Sequence, residues 1–126
     1  MKYLSNQQIF NKVAKHLLNQ NEKATNIQET LCYYRLKKNG KILKCAAGCL
    51  IKHKHYSRSF EGRGVGDPDV SRALQKSGIN MKNLITNSLV HRLQTVHDGN
   101  DEPEWHEELK RQGEFLKLNL RVVNIT

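Results

Sequence analysis

The chain lacks long hydrophobic runs, is short of apolar residues and holds no acidic residue between Glu29 and Glu61. No apolar stretch approaches the about 20 residues needed to cross a bilayer, which argues against a membrane partner. No charged-then-apolar leader opens the sequence,. Three cysteines cannot all pair within one chain, so the expected setting is a reducing cytoplasm with free thiols. Apolar residues make up only 37%, yet the periodic segments argue against disorder. There is no internal repeat, no low-complexity segment, no helix-turn-helix, no P-loop and no dinucleotide fingerprint. A chain of 126 residues reads as one domain, large enough for a modest core without metal or disulfide staples.

What is present is positive charge, unevenly placed. Residues 1–66 hold 13 Lys and Arg against 3 Asp and Glu, whereas residues 67–126 hold 8 against 9. The acid-free stretch contains Arg35, Lys37, Lys38, Lys41, Lys44, Lys52, Lys54 and Arg58. One end of the molecule should therefore attract anions: nucleic acid, nucleotides or an acidic protein.

Residues 30–51 organise the chain. Leu31 to Leu36 are aromatic and apolar with little helical spacing, which favours a strand. Asn39-Gly40 suits a type I′ turn, because both residues tolerate positive φ. Lys41 to Lys44 read as the return strand. Cys45-Ala46-Ala47-Gly48-Cys49-Leu50-Ile51 then reads as a short, tightly packed helix in which Gly48 permits close approach of another backbone.

The flanking elements follow from spacing and caps. Ser5-x-x-Gln8 is a capping box, and Ile9, Phe10, Val13, Ala14, Leu17 and Leu18 predict a first helix to about Asn21. Residues 21–29 form a polar connection, and residues 52–66 a long loop with three glycines. Asp67-Pro68 opens a helix that stops at Gly78. Asn80 is the expected cap of the next, whose stripe is Met81, Leu84, Ile85, Leu89, Leu93 and Val96, ending near His97-Asp98-Gly99. Asp101, Glu102 and Glu104 start another helix with Trp105 as core anchor. Leu118, Leu120 and Val122 alternate with polar residues, which predicts a final strand. The expected fold is α+β: four or five helices packed on a small antiparallel sheet, formed by the hairpin 31–44 and a C-terminal strand 117–125.

Four constellations carry chemistry. Cys45, Cys49, His53 and His55 have zinc-ligating side chains, with Cys45 and Cys49 on one helix face; buried structural cysteines are the alternative. Cys45, at a helix N-terminus beside Lys44, with His97 as base and Asp98 as orienter, would make a Cys–His hydrolase. Tyr33, Tyr34, Tyr56 and Phe60 among basic residues suit stacking on bases beside phosphate contacts. On a strand Tyr33 and Tyr34 face opposite sides, so one of them belongs to the core. Arg35, Lys38, Lys44 and the glycines of 62–66 would frame a phosphate ligand.

The residues Cys32, Tyr34-Arg35, Gly40 and Lys44-Cys45-Ala46-Ala47-Gly48-Cys49-Leu50-Ile51 together resemble a family of small bacteriophage and bacterial proteins of uncharacterised activity. Its pattern is Cys-x-Tyr-Arg, a Gly turn, then Lys-Cys-Ala-x-Gly-Cys-Leu-Ile. Glu61-Gly62, the run from Leu93 to Asp98 and Trp105 match the same order, so the resemblance covers most of the chain to about Leu116. The similar proteins continue after Leu-Ile with proline and acids, where this chain has Lys52-His53-Lys54-His55-Tyr56. The resemblance transfers no catalytic role and no cofactor. It implies a small accessory protein that binds a host macromolecule or nucleotide in the host cytoplasm without turnover, countering host defence. The expected contact residues are Arg35, Lys37, Lys38, Lys41, Lys44, Lys52, Lys54, Tyr56 and Arg58. DNA or RNA binding by the same hairpin and loop is the alternative.

Overall fold

Helices begin where side chains satisfy the free N–H groups of a first turn. Ser5 Oγ accepts from Gln8 N–H at 3.1 Å, and Gln8 Oε1 accepts from Ser5 N–H at 2.8 Å. This capping box opens α1 (Asn6–Gln20), which buries Ile9, Phe10, Val13, Ala14 and Leu17. Asn21 ends it in the left-handed region at φ 47°. A computed structural model describes residues 2–26 and 31–124. Part of the expected polar connection, residues 27–29, and position 125 of the expected final strand lie outside the described residues.

Strands β1 (Leu36–Lys38) and β2 (Lys41–Leu43) pair antiparallel, with Leu36 opposite Leu43, Lys37 opposite Ile42 and Lys38 opposite Lys41. Asn39 (φ 52°) and Gly40 (φ 77°) form the turn with two positive φ values, as the Asn-Gly pair predicts,. The hairpin is shorter than the expected 31–44, because neighbouring backbone groups find other partners. Tyr33 N–H donates to Ala24 O at 2.7 Å, and Cys32 makes an isolated bridge to Thr25. The N–H groups of Tyr34 and Arg35 turn to the Glu61 carboxylate, and Lys44 N–H turns to Gln20 Oε1.

Helix α2 (Ala46–Leu50) leaves the hairpin directly, with Cys45 as its N-cap. The Cys45 sulfur accepts from Gly48 N–H at 3.4 Å. A Cβ on Gly48 would sit 2.1 Å from the Tyr34 carbonyl oxygen, so glycine alone lets α2 lie against that backbone. The following residues are less irregular than expected: they contain the 3₁₀ turns His53–His55 and Arg58–Phe60, and they bury Phe60 and Val65.

Asp67 caps α3 (Pro68–Lys76) by accepting from Asp69 and Val70 N–H. The cap of α4 (Leu84–Gly99) is Asn83, not Asn80: its Oδ1 accepts from Ile85 and Thr86 N–H at 3.0 Å. Starting there turns Leu84 and Ile85 outward, 86% and 60% exposed, and the buried stripe is Leu89, Val90, Leu93, Val96 and His97. After the 3₁₀ turn Glu102–Glu104 comes α5 (Trp105–Phe115), with Trp105 fully buried.

No C-terminal strand forms among the described residues 117–124. Lys117 takes φ 56°, Leu118 N–H donates back to Gly113 O, and residues Arg121–Asn124 make a short α6. Leu120 packs so closely on Gly113 that a Cβ there would lie 2.3 Å from its Cδ2. The alternating leucines thus serve the helices rather than the hairpin. The fold is α+β, with six α-helices among the described residues and α1 packed against α2, α4, α5 and α6.

Gly48→Ala is expected to destabilise the protein by about 1–3 kcal/mol, the usual cost of forcing extra volume into a packed contact. Urea unfolding checks this, and an unchanged midpoint would contradict the close approach.

Candidate functional site

The 3₁₀ turns after α2 fold back along the hairpin and leave a groove of about 590 Å³, lined by Tyr33, Arg35, Leu36, Lys37, Ile42, Tyr56, Arg58 and Glu61. The register puts Lys37 and Ile42 side by side on one face, and Ile42 is 61% exposed. Tyr34 points the other way into the core, where its hydroxyl donates to Arg63 O at 2.7 Å. The two tyrosines therefore divide as alternation requires, with Tyr33 on the groove side.

Glu61 ties the groove together. Its Oε1 accepts from Tyr34 N–H at 2.9 Å, and its Oε2 accepts from Arg35 N–H at 3.2 Å and from the Tyr56 hydroxyl. Burial and the bond to Glu61 hold the Tyr56 phenol up at about 12. The Arg35 guanidinium stacks on the Tyr56 ring, 4.6 Å from its centroid,. Arg35 Nη1 donates to His53 Nδ1 at 2.7 Å and Nη2 to Ile51 O at 3.3 Å. Its Nε is buried with no partner among the described residues. The one acid of the groove is thus occupied by neutral donors, while Lys37 and Arg58 have no ion pair among the described residues.

The other basic residues expected at this site are dispersed. Lys38 pairs with Glu22 at 3.3 Å, and Lys41 is exposed at the turn. Lys44 is half-buried, where burial and then the nearby Arg35 push its ammonium below its ordinary value. Lys52 and Lys54 line hollows outside the groove. Of the proposed phosphate frame, Arg35 alone faces the groove.

The zinc set is not assembled. Cys45 is occupied as a cap, Cys49 Sγ donates to Ala46 O, His53 Nδ1 accepts from Arg35, and His55 lines a different hollow. Cys45 is no nucleophile either: it is fully buried, and burial drives its thiol far above the ordinary range. Tertiary packing instead brings Cys32 to His97 and Asp98, with one ligating atom of each within 4.8 Å of the others. Nothing in the spacing signals that meeting.

This trio is wired as structure. Ala24 N–H donates to His97 Nε2 at 3.0 Å, so Nδ1 carries the ring proton and donates to Asp98 Oδ1 at 2.7 Å. Asp98 also accepts from Gln94 Nε2 and from the Cys32 thiol. Burial alone would raise the Asp98 carboxyl, but the bonds from His97, Gln94 and Cys32 outweigh it and hold it below its ordinary value. A metal on Nδ1 would move the ring proton to Nε2, where it would face the Ala24 N–H. With the His97 Nε2 lone pair taken by the Ala24 N–H, Cys32 has no imidazole base, and its thiol is pushed up to about 11 by burial and by Asp98. His97 is fully buried and stacks on Trp105 at 5.5 Å.

Two outcomes are expected. Glu61→Gln keeps the shape but loses a charged acceptor for three donors, and should cost about 2 kcal/mol in urea unfolding. The thiols of Cys32 (about 11) and Cys49 (about 12, raised by burial) favour the folded state while protonated. Their stabilisation is full below the unfolded thiol value of about 8.5 and is lost as pH rises towards 11. Unfolding midpoints should therefore fall above that lower value, and less steeply in Cys32→Ser, where the hydroxyl does not titrate. An equal fall in both would refute the assignment to Cys32.

Comparison of the chain with family models, with curated proteins and with solved structures finds no match.

Proposed function

We propose that this protein acts without turnover, as a stoichiometric binder of an anionic partner that docks in the hairpin groove. The observation that carries the reading is the pairing pattern there. Lys37 and Arg58 present unpaired charge beside Tyr33 and the Arg35–Tyr56 stack, while Glu61 is already occupied by three donors. The apolar side chains of Leu36 and Ile42 beside these cations suit a partner that is flat and negatively charged at once. A nucleotide, free or within a single strand, has that chemistry: the base stacks and the phosphate meets the cations.

Tyr33 and the Arg35–Tyr56 stack give the groove flat faces on which a base can stack,. The wiring of Cys32, His97 and Asp98 and the burial of Cys45 support a binder over a Cys–His hydrolase. The resemblance to small bacteriophage proteins supports a host component as the partner and interference with host defence as the role. Among the described residues, no helix is long and apolar enough to cross a membrane.

Titration of a fluorescein-labelled single-stranded oligonucleotide, with ATP as competitor, tests the reading by anisotropy. Lys37→Glu combined with Arg58→Glu is expected to weaken binding at least tenfold, and the wild-type affinity should fall steeply with salt. Cys45→Ala and Cys32→Ala should leave it unchanged. Binding that survives the double charge reversal removes the groove from consideration. Competition by ATP identifies the free nucleotide as sufficient.

A further inference from the structure

A second basic feature lies away from the groove, where the N-terminal segment crosses the end of α3. Leu4 N–H donates to Gly78 O at 2.8 Å, and Tyr3 Oη accepts from Gln75 Nε2 at 3.1 Å, which fixes Lys2 over this point. Ser77 Oγ donates to Ala73 O at 2.8 Å and accepts from Lys52 N–H at 2.9 Å, which fixes Lys52 beside it. Lys12 from α1 and Lys76 from α3 complete the ring. The result is a hollow of about 180 Å³ lined by four lysines and no carboxylate. Lys76 also lines an adjoining hollow of about 290 Å³ with Lys54, His55 and Arg72. The acid there, Asp69, is already paired with Arg63 and Arg72.

Among the described residues, six basic side chains lie beside a carboxylate, and none of the six lines the smaller hollow. Lys23, Lys38, Arg63, Arg72, Lys110 and Arg111 each have a carboxylate within 4 Å. Lys2, Lys12, Lys52 and Lys76 have none among the described residues. The helix dipole accounts for one of them at most. The end of α3 carries roughly half a negative charge, and the Ala73, Leu74 and Gln75 carbonyls already accept from Ser77, Gly78 and Ile79 N–H. Four ammoniums facing one hollow exceed that several-fold. Beside it, burial and then the charges of Lys54, Lys76 and Lys52 push the His55 imidazole below its ordinary value.

We infer that the two hollows joined at Lys76 form a binding site for consecutive phosphate groups, with the first seated among Lys2, Lys12, Lys52 and Lys76. Lysine suits this ligand, because its compact ammonium serves phosphate as a point charge without demanding one planar geometry. Several phosphates in a row can come from a free oligophosphate or from a nucleic-acid backbone. Because the groove and the hollows share no lining residue, the inference stands or falls apart from the groove reading.

The experiment uses the full chain and two probes: tripolyphosphate followed by calorimetry, and a labelled mixed-sequence DNA duplex followed by anisotropy. Lys52→Gln with Lys76→Gln is expected to weaken tripolyphosphate binding at least tenfold. It should leave the thermal midpoint equal or higher, since like charges are removed. The groove variant Lys37→Glu with Arg58→Glu should bind tripolyphosphate within twofold of wild type, whatever it does to the oligonucleotide. If the duplex also binds and loses affinity in Lys52→Gln/Lys76→Gln, the backbone is a source of the phosphates. If only tripolyphosphate binds, the source is a free oligophosphate. A probe that binds the lysine variant as tightly as wild type, or failure of both probes to bind wild type at physiological salt, overturns the inference.

Discussion

The Glu61 carboxylate is the constraint on which the candidate site depends. Two backbone N–H groups just before β1 have no strand partner, and a buried N–H left unpaired is costly. Glu61 accepts both and takes the Tyr56 hydroxyl as well. One side chain thereby ends the sheet, pins residues 52–66 to the hairpin and sets Tyr56 under Arg35. It also sets the electrostatics of the groove, since an acid with three neutral donors no longer needs a cation. The surrounding lysine and arginine stay available for that reason.

The cysteines show how a motif that suggests chemistry can be entirely a matter of packing. Cys45 caps α2, Cys49 donates back into the same helix, and Gly48 clears room for the Tyr34 carbonyl. The Lys-Cys-Ala-x-Gly-Cys pattern is thus a recipe for a five-residue helix lying on backbone. Gln94 extends the same logic: its Oε1 accepts from Ala47 N–H at 2.8 Å while its amide donates to Asp98. Through Asp98 and His97 the network reaches Cys32 and Ala24, so α2, α4 and the segment before the hairpin are joined by polar bonds across a small core.

The net charge of +9 is likewise not one surface. Pairing divides it: among the described residues some cations lie beside carboxylates, one unpaired group lies in the hairpin groove, another lies around the end of α3, and the rest, such as Lys15, Lys82 and Lys117, line neither. A single cationic face read from residues 35–58 becomes two regions of different chemistry. One joins its cations to Tyr33 and Tyr56; the other sets four lysines around its smaller hollow.

Residue order alone determined whatever depends on neighbours along the chain. The capping box at Ser5, the Asn39-Gly40 turn, the cap at Asp67, the burial of Trp105 and the α+β class all follow from spacing and φ preferences that act within a few positions. Tertiary structure decided everything that rests on competition between distant partners. Leu118 and Leu120 alternate like a strand, but the Leu118 N–H donates to Gly113 O and the Leu120 side chain packs on Gly113. Asn83 displaced Asn80 as the cap because the turn at Met81 intervened. Cys32, not Cys45, met Asp98, and Lys2, Lys12 and Lys76 joined Lys52 from three separate segments. Local conformational preference is written in adjacent residues, whereas hydrogen-bond partners and charge clusters are settled only when the packed core brings remote segments within a few ångströms.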